Sequence, residues 1–131
     1  TRDAAHPVMQ GLPAEWLHAT DELYHRMRGT ADHMHVLSSS FSKPEFGGTD
    51  MHEPMVWFAP FNKGRVVTTS MGHIMAADTS HDALHCVGFQ TILARSTEWA
   101  ATGKVTLPVP EGFPTLDKTS VIEPSKVNWK K

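Results

Sequence analysis

The chain has 131 residues, a net charge of −2 and 40% hydrophobic residues, which fits one globular domain and excludes a disordered chain. The weak negative charge gives no electrostatic reason to expect nucleic acid or an anionic membrane as a partner. No apolar run approaches the length that spans a bilayer, and a single cysteine excludes an internal disulfide framework. We therefore expect a soluble domain, whose compartment the sequence leaves open because a signal peptide could lie upstream of Thr1.

The first part of the chain alternates short predicted elements with loops. Residues 14–20 are predicted to form one helical turn that carries Trp16. Polar and apolar side chains alternate over residues 22–27, which predicts a half-buried strand. A second short strand is predicted over residues 34–37, after which three serines lead into a loop. Residues 42–53 hold two glycines and a proline among charged residues, so we expect an exposed loop there.

A β-hairpin is predicted in the middle of the chain. Residues 55–59 form a compact apolar strand, residues 60–64 turn the chain, and residues 65–71 return as a strand rich in β-branched side chains. The returning strand leads directly into Gly72, which has no Cβ and so permits a sharp turn or a close approach of the backbone to a ligand.

The segment 79–102 is predicted to be one helix. Thr79 and Asp82 have the spacing of a capping box, and Gly103 stands where a left-handed C-terminal cap belongs. Prolines then predict an irregular tail over 108–131. Four or five strands and one good helix leave a doubly wound sheet short of helices, so the residues alone leave two architectures open. One is a small α+β domain, and the other is the later part of a larger α/β domain.

His73 is the first candidate for chemistry, because it follows Gly72 just beyond the end of a predicted strand. Open α/β sheets bind their ligands beyond the carboxyl ends of strands. His73 would act there as an acid, a base or a metal ligand. The alternative is that it closes the end of the sheet by a hydrogen bond to a neighbouring loop.

Two adjacent carboxylates, Asp21 and Glu22, are the candidate partners of this histidine. A carboxylate beside a sugar can serve as general acid or base, or can ligate a metal together with a neutral histidine. In the alternative, Asp21 caps a turn and Glu22 pairs with an arginine such as Arg65. His18 lies close before them and is, with His73, a candidate metal ligand.

Three further residues are candidates for contact with a substrate: Tyr24, Trp16 and Arg65. Strand alternation would put Tyr24 on the same face as Glu22. Trp16 could stack on a sugar ring, although packing in the core is the simpler account of an aromatic side chain.

Two other features attract a functional interpretation that we do not favour. His81 and His85 have the i, i+4 spacing of a zinc-binding helix but lack an identifiable third ligand, so solvated histidines are expected. Cys86 is predicted on the apolar face of the helix, whereas a nucleophilic cysteine needs an exposed, electropositive site. A glutamine amidotransferase reaction is therefore not expected.

Several short motifs occur together in a fixed order along most of the chain. They are His6-Pro7-Val8, Gly11-Leu12-Pro13, Asp21-Glu22-Leu23-Tyr24, Glu53-Pro54-Met55-Val56-Trp57, Gly64-Arg65-Val66, Met71-Gly72-His73, Val87-Gly88-Phe89, the run from Glu98 to Thr106, and Pro110. In this order they resemble the ThuA-like, or trehalose-utilisation, family.

The resemblance implies a fold similar to class I glutamine amidotransferases, a flavodoxin-like three-layer α/β sandwich. Residues 1–107 would be the C-terminal portion of that domain, followed by the tail 108–131. The implied function is carbohydrate metabolism, with a disaccharide such as trehalose or its keto derivative as substrate. Hydrolysis, elimination and isomerisation by acid/base chemistry all stay open, with or without a divalent metal. The alternative is a non-catalytic carbohydrate-binding or accessory domain. Beyond the sugar, a second copy or the N-terminal half of the same domain would be the expected partner.

Overall fold

A three-stranded antiparallel sheet in the order β1-β2-β3 forms one layer of the protein in a computed structural model that describes residues 1–29 and 32–129. The strands are β1 (His35–Ser42), β2 (Met51–Phe61) and β3 (Gly64–Thr69), and the helices are α1 (Asp82–His85) and α2 (Val87–Thr102). Two short 3-10 helices, Pro44–Phe46 and Pro124–Lys126, lie in the connections. Within the described ranges, no helix has the length and apolar character needed to cross a bilayer.

The predicted hairpin is confirmed, and β2 is longer than predicted at both ends. β2 and β3 pair with Phe58 opposite Val67 and Phe61 opposite Gly64. Asn62 occupies the turn with a φ of 53°, a left-handed conformation that asparagine tolerates well. β3 ends at Thr69, two residues before the predicted end, and the chain continues through Ser70 and Met71 to Gly72.

The predicted loop over residues 42–53 is wrong at both ends. β1 continues through the three serines to Ser42, and β2 already begins at Met51, because these residues pair directly with one another. The backbone hydrogen bonds of the ladder decide the conformation, while serine side chains and Pro54 argue locally against a strand. The connection that remains holds the 3-10 helix Pro44–Phe46.

Two predicted elements before the sheet are also wrong. Residues 14–20 form no helical turn and residues 22–27 form no strand. A single strand needs a neighbouring strand to pair with, and this segment has none in the described part of the chain. The alternation that suggests a strand has another cause: Leu23 packs against the core, whereas Glu22 and Tyr24 are exposed.

The predicted helix is interrupted at Cys86, where the backbone is extended, with φ −62° and ψ 121°. Cys86 forms an isolated antiparallel bridge with Val121, so the tail of the chain inserts at this point. Val87 N–H donates to Ser120 O at 2.9 Å, and Ile122 N–H donates to His85 O at 2.9 Å. Cys86 is therefore the residue that precedes α2, and the prediction that it lies inside a continuous helix is wrong.

Only one of the two predicted helix caps is confirmed. Gly103 adopts φ 75° and its N–H donates to Trp99 O, which ends α2 as predicted. Thr79 does not cap the first helix; instead the Asp78 carboxylate accepts the N–H groups of Ser80 and His81. α1 begins only at Asp82, with His81 as its N-cap residue and no side-chain hydrogen bond at the cap, so Thr79 lies too far before the helix to cap it.

The core lies between α2, the sheet and the first loop of the chain. Val8, Met9, Leu37, Val56 and Ile92 are fully excluded from solvent. A second small cluster joins Ala19, Cys86 and Phe89. The tail is irregular but packed, with Phe113 against the main cluster and Pro114 buried. Lys130 and Lys131, the last two residues of the predicted tail, lie outside the described residues.

Candidate functional site

The carboxylate of Asp21 holds the backbone that carries His73. Asp21 Oδ2 accepts the N–H of Gly72 at 2.7 Å, and Oδ1 accepts the N–H of His73 at 3.1 Å. Gly72 has φ 90°, so the predicted sharp turn is present. The turn also passes over Phe89, whose ring would lie 2.6 Å from a Cβ at position 72. Both features require glycine at this position.

His73 and Glu22 form the central pair of the site. Nδ1 of His73 lies 2.5 Å from Oε2 of Glu22, with 33% and 49% of the two side chains exposed. The ring of Tyr24 lies beside His73, with 5.8 Å between centroids. The structure therefore brings together four of the predicted site residues, and Glu22 pairs with this histidine instead of Arg65.

His18 completes the support of Asp21 from the other side. Its Nε2 lies 2.8 Å from Asp21 Oδ2, and the two side chains are only 19% and 8% exposed. Burial works to lower the pKa of His18, but the hydrogen bond to Asp21 and the neighbouring Cys86 thiol outweigh it and raise the pKa to about 9. For Asp21, burial works to raise the pKa, yet His18 and the Gly72 N–H hold it below its usual value. The pair is an imidazolium and a carboxylate at neutral pH.

Cys86 is the member of this group that the sequence does not reveal. The thiol is fully buried and interacts with His18, which lowers the pKa of Cys86 even though burial works in the opposite direction. In the sequence, the i, i+3 spacing of His18 and Asp21 predicts that these two residues form a local pair. Nothing in the sequence links that pair to a residue so far along the chain.

Trp16 forms a wall beside these residues. Its ring packs edge-on against Phe113 at 5.3 Å and against His18 at 6.0 Å between centroids. It also lies directly over Gly88, on the first turn of α2, so closely that no side chain fits at that position. Trp16 is thus held by packing on one side.

A cleft of about 1000 Å³ opens beside His18, Asp21 and Glu22, between the 14–23 segment and β1. Trp16, His18, Asp21 and Glu22 line one side of it. The opposite side carries the hydroxyl-bearing stretch of β1, residues 38–40, where the sequence predicts the start of a loop. This volume is within the usual range for small-molecule sites.

Arg65 is not brought to this cleft. Its Nε donates to Trp99 O at 3.0 Å and to Ala100 O at 3.3 Å, and its guanidinium lies 5.7 Å from the centroid of the Trp99 ring. A cation that binds the last carbonyls of a helix stabilises its C-terminal end. Arg65 therefore fastens β3 to the end of α2.

The two helix histidines also lie apart from the site. His81 and His85 have ring centroids 6.2 Å apart, and His85 Nδ1 is 3.8 Å from Glu123 Oε1. In the ranges 1–29 and 32–129, no group of three or more His, Cys, Asp or Glu side chains is arranged to hold a metal ion. His18 and His73 each face a carboxylate, so a role as metal ligand for either stays a hypothesis.

The arrangement is suited to proton transfer. Nδ1 of His73 is buried beside the Glu22 carboxylate, at contact distance but without the alignment of a hydrogen bond, so Nε2 is the nitrogen that can exchange a proton with a substrate. Glu22 places its carboxylate beside the ring, in the position that the acidic partner of a general base takes. Tyr24 supplies a hydroxyl and an exposed aromatic ring beside His73. Of these three residues, Glu22 is the one that lines the cleft.

These features define the class of the protein. A sheet covered by a long helix, with a histidine and its carboxylate placed just past the end of a strand, is a part of a flavodoxin-like α/β domain of the class I glutamine amidotransferase type. The chain belongs to the ThuA family, described as trehalose utilisation, whose model matches residues 1–100.

A solved structure supports the same assignment. The chain is 43% identical to a ThuA-like protein from Parabacteroides merdae ATCC 43184 and superposes on its crystal structure with a TM-score of 0.87. The match covers 97% of this chain and 46% of that one, so this chain spans less than half of its relative. No match was found among curated proteins. The predicted family and fold class are confirmed, and the fold is present in part.

Proposed function

We propose that the protein acts on a disaccharide or its keto derivative, with His73 as the acid/base group and Glu22 as its carboxylate partner. The observation that carries this proposal is the contact between His73 and Glu22, whose side chains lie 2.5 Å apart. The pair lies beside a cleft whose lining includes serines and an aromatic side chain. Hydroxyls and aromatic faces are the groups that bind sugars, and family membership supplies the carbohydrate context.

Within this proposal, the residues have separate roles. His73 takes or gives the proton at Nε2, and Tyr24 contacts the sugar at the rim. Trp16 offers a stacking surface to a ring in the cleft. Asp21 is a positioning residue, because both of its oxygens are already occupied by hydrogen bonds. Oδ2 accepts from Gly72 and His18, and Oδ1 accepts from His73 and Glu22.

The test is turnover of a keto-disaccharide by His73→Ala and Glu22→Gln, compared with wild type and with His81→Asn as a control. His81 is exposed and has φ 55°, which asparagine tolerates, so the control removes a histidine without touching the cleft. We expect His73→Ala to lower kcat at least ~100-fold, the usual range for an acid/base group. Wild-type activity in His73→Ala would overturn the assignment.

The same experiment separates the second candidate function, a non-catalytic carbohydrate-binding domain. The observation that favours it is the Trp16 wall facing the serines of β1, since both features bind sugar without any chemistry. In that case wild type binds the sugar by calorimetry and turns none over, and His73→Ala changes only affinity. A metal-assisted version predicts that chelation abolishes activity and that a divalent metal restores it.

A further inference from the structure

Arg2, an exposed residue that lines the cleft, carries a positive charge that no carboxylate neutralises within residues 1–29 and 32–129. The backbone N–H of Arg2 donates to Leu37 O at 2.7 Å, which fixes Arg2 along the edge of β1. Its Nε donates to Ser39 Oγ at 2.5 Å. In those same ranges, Arg2 forms no ion pair with an acidic side chain.

A second polar group joins this arginine through the same serine. His52 Nδ1 lies 3.5 Å from Ser39 Oγ, and the ring of His52 packs edge-on against Phe41 at 5.3 Å between centroids. The register of β1 and β2 places Phe41 opposite His52, so Ser39 and His52 are diagonal neighbours on one face of the sheet. Arg2, Ser39 and His52 all line the cleft.

We propose that Arg2, Ser39 and His52 form a subsite for an anionic group carried by the sugar, a phosphate or a carboxylate. A guanidinium binds both groups through paired N–H donors, and it is anchored here through Nε with its terminal nitrogens left for a ligand. The serine hydroxyl and a histidine supply further donors. Because Arg2 is exposed, water hydrates its guanidinium in the free protein, and an anionic group of the ligand would replace that water.

Side chains of both charges line the cleft. Asp21 and Glu22 each face a histidine, and of the basic side chains Arg2 and Lys43, Lys43 pairs with Glu45 at 3.8 Å. Glu15 also lines the cleft but forms no ion pair with Arg2 in the part of the chain that the structure describes. A charged sugar would place its anion on Arg2, because the carboxylates of Asp21 and Glu22 repel an anion. The inference rests on the proposed function only in assuming that this cleft binds a sugar.

The experiment is calorimetric titration of the full chain with glucose, glucose 6-phosphate and glucuronate at low ionic strength. We expect at least ~10-fold tighter binding of one charged sugar than of glucose, and a preference that weakens as salt is added. Preference for the phosphate identifies a sugar phosphate as the ligand class, and preference for glucuronate identifies a sugar acid.

Arg2→Gln should abolish the preference, and Arg2→Lys should reduce it because the ammonium lacks the fork of donors. Arg28→Gln removes an exposed arginine that does not line the cleft and should leave the preference unchanged. Equal affinities for charged and neutral sugars, or a preference that survives in Arg2→Gln, would overturn the subsite. Those results would leave the His73 assignment standing, because it is measured by turnover.

Discussion

Asp21 and His73 are 52 positions apart in the sequence, yet the carboxylate of one accepts the backbone N–H of the other at 3.1 Å. The same carboxylate accepts the N–H of Gly72 and faces the His18 imidazolium. A single buried side chain thus joins the loop that precedes the sheet to the turn that follows it. The placement of the His73 ring beside Glu22 depends on this link.

Asp21→Asn should destabilise the protein and disturb the site together. The amide keeps the shape but removes the charge that His18 and three N–H groups share, and breaking a buried ion pair costs about 3 kcal/mol. Urea denaturation would measure the loss in the free energy of unfolding. Asp82→Asn, in the first turn of α1, is the control and should change that free energy by less than about 0.5 kcal/mol. Equal stability of wild type and Asp21→Asn would contradict a stabilising role for the hydrogen bonds and the ion pair of the Asp21 carboxylate.

The raised pKa of His18 predicts a stability that falls in alkaline solution. Folding raises this pKa from its ordinary value of 6.5 to about 9, so the native state holds the proton more tightly than the unfolded state. The stabilisation is complete below about pH 6.5 and is lost as pH rises toward about 9, by at most about 3 kcal/mol. Denaturant titrations at about pH 6 and about pH 9 would show the decrease.

A matched pair of variants isolates this effect. His18→Gln should be less stable than wild type in the acidic titration, and its free energy of unfolding should change less between the two conditions. His33→Asn removes an exposed histidine at φ 64° and should keep the wild-type slope. A slope that is unchanged in His18→Gln would show that another group carries the pH dependence.

Gly72→Ala should destabilise the protein in two ways, by backbone strain at a positive φ and by contact of the new Cβ with Phe89. The same substitution at Gly47 measures the backbone strain separately. Residue 72 has φ 90°, and its new Cβ would lie 2.6 Å from Phe89 Cζ. Gly47 has φ 77°, but a Cβ added there would meet no atom within 4 Å, so Gly47→Ala tests the backbone term alone. We expect a loss of about 1 kcal/mol for Gly47→Ala and about 3 kcal/mol for Gly72→Ala. Similar losses in the two variants would mean that contact with Phe89 is unimportant.

Gly88→Ala tests whether Trp16 is a fixed wall of the cleft. At an open helical site this change would stabilise by up to about 1 kcal/mol. Here the added methyl group meets the Trp16 ring, so we expect a net loss and a shift in tryptophan fluorescence as the ring moves. Trp16→Leu combined with Gly88→Ala should recover part of the loss, and a double-mutant cycle would give the coupling. A simple gain in stability would mean that Trp16 moves freely.

Prediction from the sequence succeeds best where a pattern repeats locally. The hairpin through Val67, the left-handed cap at Gly103 and the turn at Gly72 each depend on neighbours a few positions away, and all three are present. The strand over residues 22–27 fails because its alternation is produced by Leu23 packing in the core beside an exposed site, without any pairing strand. The break at Cys86 could not be predicted, because its cause is a bridge to Val121 in the tail.

In the candidate site too, local residue types predict part of the arrangement, and contacts between distant residues decide the rest. Residue types and the position after a strand are sufficient to select His73, Glu22 and Asp21 as neighbours. They do not distinguish the two carboxylates, since only the fold shows that Asp21 is occupied by backbone N–H groups and that Glu22 is half exposed. Arg65 is selected for its charge, and its distance from the cleft follows from its contact with Trp99.

The contacts of Asp21 also bear on how this family could diversify. Its oxygens bind the main chain of residues 72 and 73, so the path of that turn does not depend on the imidazole at position 73. Replacing His73 with another side chain would change the group that lies beside Glu22 and keep the turn that carries it. Under the proposed function, the reacting group and the scaffold are therefore encoded at different positions, and a relative could exchange one while retaining the other.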